Sequence, residues 1–508
     1  MVLVYYFKTY IIGESRLEKS IIIIGAGISG LSAGCYARMN GFKTTIFEMN
    51  DNPGGQCVAW KRKDFIFDPC IHWLLGTTPE NSFYRIWEEL GAIKDKKIFY
   101  FDEFCRIKTA EGKELIFYSN INKFMYQLKE FAPEDGELID EITGAVNSFG
   151  EIEFPVDKNI TSLISSLVKL IPCMKYFFKY SKITVQDFAK KFKNPFLRKY
   201  FLVPFDMPDF SLIAMLFTLA WFNKKKVGYP VGGSMDFSRA IEKRFKDLGG
   251  EILYNKKVER IRIINDKASG IKLEDGSKYS ADYVISACDG KTTIYKMLNG
   301  EFTSKKIDSY YKNFKLFPPI LFISLGLKRD LKETPHTILF ELDKPLKIAD
   351  KDINFLWCRH TAYDPLAAPF GKSVLSIFIE TDYDYWKKLR INEEDYKFEK
   401  QKVVTLVIDA LNNFYPDIIS DVEIYDMATP VTFEQRTGVW RGSYEGWLPT
   451  PQTLFTNMEK TLPGLDNFYL IGQWTTPGGG LPTAAKDGRD VIYNICKKEK
   501  IKFVTSII

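Results

Sequence analysis

The chain has 508 residues, of which 45% are hydrophobic and 26% charged, with a formal net charge of +6. This composition is typical of a globular protein and excludes a largely disordered one. The length suits two or three structural units with a buried core. The 70 Lys and Arg residues are mixed with 64 Asp and Glu residues and form no basic tail, so nucleic acid is not an expected partner.

The cysteine and histidine content indicates the redox state of the thiols and whether a metal site is expected. The eight cysteines show neither a C-x-x-C pair nor zinc-finger spacing, which predicts reduced thiols in a cytoplasmic protein. Because only three histidines are present, we predict no metal site.

The first 20 residues are apolar but lack the basic start and the cleavage site of a signal peptide. We expect an additional strand or arm there. No uninterrupted apolar run reaches the ~20 residues that are needed to span a bilayer.

The stretch IIIIGAGISGLSAG predicts a strand, a glycine-rich turn and a helix. Its four isoleucines form a continuous apolar run, as a strand buried on both faces requires. Gly25, Gly27 and Gly30 complete G-x-G-x-x-G, which permits a tight turn, close approach of a pyrophosphate and helix–strand packing. A second predicted strand, KTTIFE, ends at Glu48, where a carboxylate binds a ribose hydroxyl and repels a 2′-phosphate. Together these features predict an adenine dinucleotide.

A glycine pair follows shortly afterwards, at Gly54 and Gly55 in DNPGGQ. Two adjacent glycines permit close backbone approach to a long ligand. They indicate that the ligand extends beyond its first nucleotide.

Two apolar segments lie before the middle of the chain. The stretch 160–180 has apolar residues at helical spacing, with Lys169, Lys175 and Lys179 between them. It predicts either a helix that lies in a membrane interface and admits a lipophilic substrate, or a helix of the core. The stretch 211–222 carries no charge and is too short to span a membrane. It predicts a buried helix over a substrate cavity.

A second cradle is predicted near the C-terminus, in IGQWTTPGGGLPTAAKDGRD. A strand-like run over 468–471 precedes three consecutive glycines, and a proline and a helix-forming segment follow them. This layout is typical of an anion or cofactor site at a helix N-terminus.

Three stretches are similar to known flavoproteins. EMNDNPGGQ resembles the superfamily that binds FAD in a glutathione-reductase-like Rossmann domain. Residues 229–290 are similar to the middle of the phytoene desaturase, carotene isomerase and retinol saturase family. FYLIGQWTTPGGGLPTAAKDGRDVI resembles the C-terminal flavin motif of that family. The resemblance covers both ends and the centre, roughly half of the chain.

The resemblance implies an α/β fold, with an FAD-binding Rossmann-like domain of glutathione-reductase type and an inserted α+β substrate domain. Residues 1–105, 225–310 and 455–508 are expected to form the discontinuous FAD-binding domain. Residues 106–224 and 311–454 are expected to form the substrate-binding domain, whose 160–180 helix is a candidate for membrane contact.

Both cradles are then expected to hold one FAD. The resemblance places the backbone of Val258 at the adenine, and Gly479, Gly480 and Leu481 under the flavin ring at the positive end of a helix. The common Gly-Asp pair is Gly472-Gln473 here, so the ribityl contacts must differ. No cysteine lies where amine oxidases attach flavin covalently, so we expect noncovalent FAD. The candidate cofactor-binding residues are Gly25, Ala26, Gly27, Ile28, Ser29, Gly30, Glu48, Gly54, Gly55, Gln56, Val258, Gly472, Gln473, Gly479, Gly480 and Leu481.

Two residues are candidates for chemistry. His72, in FDPCIHW, stands where related flavoproteins run the chain past the flavin ring, so it is either a proton donor or base or a group that only positions backbone. Tyr444, in VWRGSYEGW, resembles an aromatic residue that faces the flavin in this family. It either donates a proton or forms the wall of a substrate tunnel.

The resemblance implies an FAD-dependent oxidoreductase that desaturates, saturates or isomerises carbon–carbon double bonds in a long apolar substrate, such as a carotenoid, isoprenoid, retinoid or unsaturated acyl lipid. A flavin amine oxidase and a non-catalytic flavin-binding protein of the membrane surface are the alternatives. No second G-x-G-x-x-G follows a strand, so NAD(P)H is expected only as a diffusing electron donor or acceptor, alongside a quinone, oxygen or a protein. We expect a cytoplasmic protein, and peripheral membrane contact stays open.

Overall fold

The computed structural model describes residues 19–156 and 168–506. The arm predicted at the N-terminus lies outside the described residues. The strands are β1 Ser20–Ile24, β2 Lys43–Phe47, β3 Trp60–Arg62, β4 Phe65–Phe67, β5 Leu74–Leu75, β6 Ile98–Phe99, β7 Glu103–Lys108, β8 Glu114–Tyr118, β9 Val227–Pro230, β10 Glu251–Leu253, β11 Val258–Ile264, β12 Lys267–Leu273, β13 Lys278–Ser280, β14 Tyr283–Ser286, β15 Ile320–Leu327, β16 Thr337–Ile348, β17 Lys351–His360, β18 Ser373–Glu380, β19 Val422–Ala428 and β20 Phe468–Leu470.

The helices alternate with these strands along the chain. They are α1 Ile28–Met39, α2 Ser82–Glu89, α3 Ile121–Phe131, α4 Gly136–Gly150, α5 Met174–Tyr180, α6 Val185–Ala189, α7 Pro195–Tyr200, α8 Leu212–Asn223, α9 Gly233–Asp247, α10 Gly290–Thr292, α11 Lys305–Asn313, α12 Tyr383–Leu389, α13 Glu393–Leu411, α14 Ile418–Asp421, α15 Pro430–Thr437 and α16 Gly480–Lys498.

A parallel sheet carries the first glycine motif. Its strand order is β10-β2-β1-β14-β20, and β1 pairs in parallel with both β2 and β14. The isoleucines of β1 are all buried, as their continuous run predicts. Three separate parts of the chain supply the strands, so the sheet brings residues from both ends of the sequence together. β2 ends at Phe47, and Glu48 is the first residue beyond it.

The helix α1 packs between this sheet and the C-terminal helix α16. A side chain on Gly488 of α16 would place its Cβ 2.6 Å from the Ala33 nitrogen of α1. The Ser32 hydroxyl donates to the Ala485 carbonyl at 2.6 Å. The two helix backbones therefore approach closely, which a larger residue than glycine would prevent.

A second, mostly antiparallel sheet has the order β19-β15-β18-β17-β16-β7-β8. Among the described residues, its strands pair antiparallel except for β7 and β16, which are parallel. A smaller antiparallel meander, β11-β12-β13, lies in the same part of the sequence as β10 and β14. The architecture is therefore mixed α/β, and the structure leaves the exact domain boundaries as predictions.

The two apolar segments differ in burial. Helix α8 is buried over most of its length, as predicted for 211–222. Residues 160–167 of the predicted 160–180 helix lie outside the described residues. In the described remainder, the α-helix gives way to a 3₁₀ turn at Ile171–Cys173, where Pro172 lacks an N–H for the α-helical hydrogen bond. Among the described residues, no helix is long and apolar enough to cross a membrane.

Candidate functional site

A large cavity of about 2570 Å³ is lined by residues of both major sheets. Ordinary ligand pockets measure ~300–1,000 Å³, so this cavity has room for a dinucleotide and a second molecule. Both predicted cradles lie on its wall. The predicted residues that line it are Gly25, Gly27, Ile28, Ser29, Glu48, Gly54, Gly55, Gln56, His72, Val258, Tyr444, Gly472, Gln473, Gly479, Gly480 and Leu481.

Two of the predicted cofactor-binding residues, Ala26 and Gly30, do not line the cavity. The buried N–H of Ala26 donates to the Glu48 carboxylate at 2.8 Å. A Cβ on Gly30 would lie 2.0 Å from the Gly25 carbonyl oxygen. Ala26 and Gly30 therefore shape the first loop from within, and their contact with the cofactor stays a prediction.

The Glu48 carboxylate is held in a fixed orientation at the end of β2. Besides the Ala26 bond, its second oxygen accepts from the backbone N–H and the side-chain amide of Asn50, both at 2.9 Å. A carboxylate has about four acceptor positions, so one remains for a ribose hydroxyl. Sequence reasoning missed Asn50, because its contact depends on the turn after β2.

The glycine pair lies directly against the first loop. The Gly54 N–H donates to the Ala26 carbonyl at 2.8 Å, and a Cβ on Gly55 would lie 3.2 Å from the Gly27 Cα. Next to it, Gln56 donates its amide to the Ser443 carbonyl at 3.2 Å. The Gln56 carbonyl oxygen is buried and has no partner among the described residues. An unsatisfied acceptor on a cavity wall is a site where a ligand donor fits.

The second cradle begins where β20 ends. Gly472 has a φ of +104°, and a Cβ there would lie 3.1 Å from the Ser29 hydroxyl at the start of α1. Gly480, with a φ of +66°, is the first residue of the 19-residue helix α16. The N-terminal ends of α1 and α16 therefore meet at the cavity, where both favour negative charge on a ligand.

An acidic residue that sequence reasoning missed lies beside this cradle. Asp487, on α16, accepts from the Gly472 N–H at 3.3 Å and from the Thr475 hydroxyl. It also pairs with Lys460 at 2.6 Å. Gln473 carries no charge where the flavoprotein motif has aspartate, so Asp487 brings an acid to the same region from a different element. Nothing in its local sequence signals this placement.

The residues present fit FAD. Gly27 adopts an ordinary negative φ at the start of α1, and a Cβ there would meet no atom closer than 3.9 Å. The loop therefore leaves open space for a pyrophosphate. The fixed carboxylate, the unsatisfied Gln56 oxygen and the two helix N-termini provide acceptors and donors of the kinds that a ribose, a flavin ring and phosphates require.

His72 belongs to a buried polar group around Arg359. The Arg359 guanidinium donates to the Asp68 and Ile71 carbonyls, both at 3.0 Å, and so fixes the loop that carries His72. The His72 ring lies 4.8 Å from the Phe378 ring, and the guanidinium lies 5.8 Å from the same ring.

The protonation state of His72 follows from this environment. Burial, and then the positive charge of Arg359, hold the pKa of His72 well below its usual value, so the ring is neutral near pH 7. An interaction with the Pro69 backbone opposes this lowering of the pKa only in part. The Nε2 atom of His72 has no partner among the described residues. This favours the positioning alternative over a proton donor.

Tyr444 forms part of the cavity wall. Its hydroxyl lies 3.8 Å from the Met207 sulfur, and its ring centre lies 5.1 Å from that of Phe317. Burial raises the pKa of Tyr444. Apolar contacts of this kind favour the wall over the proton donor.

The residue after Tyr444 was not singled out from the sequence. Glu445 lines the same cavity, and a Cβ on Gly480 would lie 3.4 Å from its Oε1. Burial raises the pKa of Glu445 to about 7. The motif around it contains a glycine turn, but its approach to Gly480 exists only in the folded chain.

The family model described as flavin containing amine oxidoreductase matches residues 28–492. The chain belongs to this family. It is a flavin-dependent oxidoreductase, as the sequence predicts, and FAD is the flavin that the site fits.

Similar proteins extend over nearly the whole chain. It is 26% identical to the chloroplastic prolycopene isomerase of Daucus carota over 507 residues, which are 95% of this chain and 80% of that protein. It is also 26% identical to a lycopene-forming phytoene desaturase of a Paracoccus species, over 92% of this chain and 95% of that protein. These matches confirm the predicted resemblance.

Solved structures show the same fold. An oxidoreductase from Methanosarcina mazei is 17% identical, with a TM-score of 0.61 over 93% of this chain and 100% of that chain. A redesigned putrescine oxidase is 12% identical, with a TM-score of 0.60 over 94% of this chain and 99% of that chain. They confirm the predicted α/β fold class.

The first loop gives a direct test of FAD placement. Gly27→Val should remove FAD from the purified protein, because its Cβ would stand only in ordinary contact with protein, 3.9 Å from the nearest atom, and its methyl groups would take up the space of the pyrophosphate. We expect at least a tenfold loss of occupancy, or about 1.4 kcal/mol, measured by flavin absorbance per protein. Gly136→Val, at an open helix start far from the cavity wall, is the matched control. A folded Gly27→Val protein with full FAD content would contradict the assignment.

Proposed function

We propose that the protein is an FAD-dependent enzyme that desaturates, saturates or isomerises carbon–carbon double bonds in a long apolar substrate of the carotenoid type. The observation that carries this proposal is the cavity, which combines the two cradles with an extended apolar region. Bound flavin supplies reversible hydride transfer.

The apolar region of the cavity suits a hydrocarbon chain. Helix α8 contributes one wall, and aromatic and aliphatic side chains from both halves of the sequence contribute the others. Such a surface excludes water and holds a carbon atom in place for hydride transfer. Its lining includes Phe104, Phe205, Phe210, Phe217, Trp221 and Leu339.

The names of the curated relatives support a polyene substrate, since they include a prolycopene isomerase and a phytoene desaturase. The likeness to putrescine oxidase supports the fold alone. We infer that the FAD is noncovalent and that electrons are exchanged with a diffusing partner such as a quinone, oxygen or NAD(P)H.

The proposal is tested with purified holoprotein and two probes, phytoene and prolycopene, each carried in liposomes. Anaerobic incubation should convert at least one of them, with products separated by chromatography, and added NAD(P)H or a quinone should change the yield of any net redox reaction. Gly27→Val serves as the control without cofactor. Failure of the holoprotein to convert either polyene under oxidising and reducing conditions would contradict this function.

We further propose that the cavity opens onto a membrane surface. A group of exposed apolar side chains, here called the mouth patch, consists of Val168, Ile171, Met174, Phe178 and Phe455. Three of its members also line the cavity, and the Phe177 and Phe455 rings, 5.8 Å apart, join its two segments. An exposed apolar group at a cavity entrance is typical of a surface that contacts lipid.

Basic side chains accompany the mouth patch. Lys169 and Lys175 are exposed next to it, whereas Lys179 pairs with Glu141 at 2.5 Å. Lysines near anionic lipid head groups each contribute about 1 kcal/mol. Peripheral contact therefore combines apolar insertion with a salt-sensitive attraction.

The wild-type protein should sediment with anionic liposomes at low salt and be partly released as salt screens the lysines. Ile171→Asp combined with Phe178→Asp should keep the protein in the supernatant with its FAD content unchanged. Ile391→Asp changes a side chain that is 87% exposed outside the mouth patch, and should bind as wild type does. If all three proteins behave alike, the patch does not meet lipid.

A further inference from the structure

Glu445 is held on a rigid turn at the cavity wall. The Ser443 hydroxyl donates to the Gly446 carbonyl at 2.9 Å, and the Phe317 N–H donates to the same carbonyl at 3.0 Å. Gln56 bonds to the other side of the turn, at the Ser443 carbonyl. The backbone on both sides of Glu445 is therefore fixed by contacts that do not involve its own side chain.

The Glu445 carboxyl differs from the other acids on the cavity wall. Each of the others has a hydrogen-bond or ion-pair partner in the described part of the chain, as shown by Glu48 with Asn50, Asp289 with backbone N–H groups, and Asp487 with Lys460. For Glu445, the described contacts include neither. The side chain is partly buried and borders the cavity, so its carboxyl is open to a bound molecule.

The position of this carboxyl is defined by its approach to the second cradle. Its Oε1 lies 3.4 Å from where a Cβ on Gly480 would stand, and Gly480 is the glycine that our proposal places beneath the flavin ring. Tyr444 and Gln56 lie beside it on the same wall. A carbon held for hydride transfer at the ring therefore lies within reach of Glu445.

We propose that Glu445 is the catalytic residue that exchanges a proton with the substrate beside the flavin ring. This inference rests on the proposed function and deepens it. In desaturation, one carbon loses a hydride to the flavin and its neighbour loses a proton to the Glu445 carboxylate. The electron pair of the second C–H bond becomes the new π bond.

The same group serves the reverse direction and isomerisation. In saturation, the protonated Glu445 carboxyl would give its proton to one carbon, and a bound reduced flavin would supply the hydride for the other. In isomerisation, transient protonation of one carbon leaves a single bond that rotates before the proton returns to Glu445. A carboxyl that titrates close to neutral pH can act either as a proton donor or as a proton acceptor.

The experiment compares holoprotein of wild type, Glu445→Gln, Glu445→Asp and Glu380→Gln. Glu380 is exposed and paired with Lys351 at 2.7 Å, so its variant controls for removal of a nearby charge. Phytoene and prolycopene in liposomes are the probes, assayed from about pH 5.5 to 8.5 around the pKa of Glu445. FAD content is measured for every variant.

Wild type should show a limb in kcat near pH 7. Desaturation, which needs the carboxylate, should rise with pH through this limb, and reactions that need the protonated form should fall. In Glu445→Gln, kcat should fall about 10²- to 10⁴-fold, and its pH dependence near pH 7 should disappear. KM and FAD content should stay nearly unchanged. Glu445→Asp should restore part of the rate, and Glu380→Gln, at a residue that also lines the cavity, should keep the pH limb. Glu445→Gln with the wild-type rate and pH profile would overturn the inference.

The flavin spectrum gives a second readout that needs no substrate. Ionisation of a carboxyl beside the ring should shift the absorption of wild-type holoprotein with a midpoint near pH 7, and Glu445→Gln should abolish that shift. If wild type converts neither polyene, the proposed function fails, and the spectrum alone decides whether Glu445 adjoins the ring. Identical, pH-independent spectra in both proteins would refute its placement there.

Discussion

The close approach of α1 to α16 is the contact on which the whole site depends. Each helix begins with one of the two glycine cradles, and the absence of a side chain at Gly488 lets their backbones meet. The parallel sheet adds to this by placing β1 and β20 on either side of β14. Residues that are more than 440 positions apart in sequence therefore face one cavity, and the positive ends of both helices point toward the same space.

In the cavity, the charged side chains around the two cradles are mostly paired, and the rest of the lining is largely apolar. Around the cradles, acids and bases are paired or held by backbone groups, as Glu48 is by Ala26 and Asn50. Two guanidinium nitrogens of Arg359 donate to carbonyl groups, and burial, together with the Arg359 charge, lowers the pKa of the neighbouring His72. In an enclosed site of low dielectric, each unpaired charge would be costly. Glu445 is the acid that this arrangement leaves available for proton exchange.

Local signals in the sequence predicted the scaffold well. The isoleucine run, the spaced glycines and Glu48 are neighbours along the chain, so their pattern alone indicates a strand, a turn and a helix. The layout of strand, three glycines and helix predicted the second cradle, and family resemblance then supplied the α/β fold class and the expectation that both cradles hold one FAD. The apolar stretch 211–222 was also interpreted correctly, because a segment without charge and too short for a membrane belongs in a core.

The remaining parts of the site depend on contacts between distant segments. Asp487 reaches Gly472 only because α16 folds back beside β20, and Glu445 reaches Gly480 only because a loop from another part of the chain crosses the cavity. Arg359, whose charge adds to the effect of burial on the pKa of His72, comes from a strand of the second sheet. Spacing along the sequence carries no information about such approaches. For the same reason, the domain boundaries and the individual cofactor contacts stay predictions.

The central claim is that both cradles hold one FAD, and an experimental structure of the FAD-bound protein tests it most directly. The account predicts adenine at Val258, the pyrophosphate over Gly27, and the flavin ring against Gly479 and Gly480 with the Glu445 carboxyl beside it. Density for FAD in the reverse orientation, or with its ring away from the second cradle, would contradict the account.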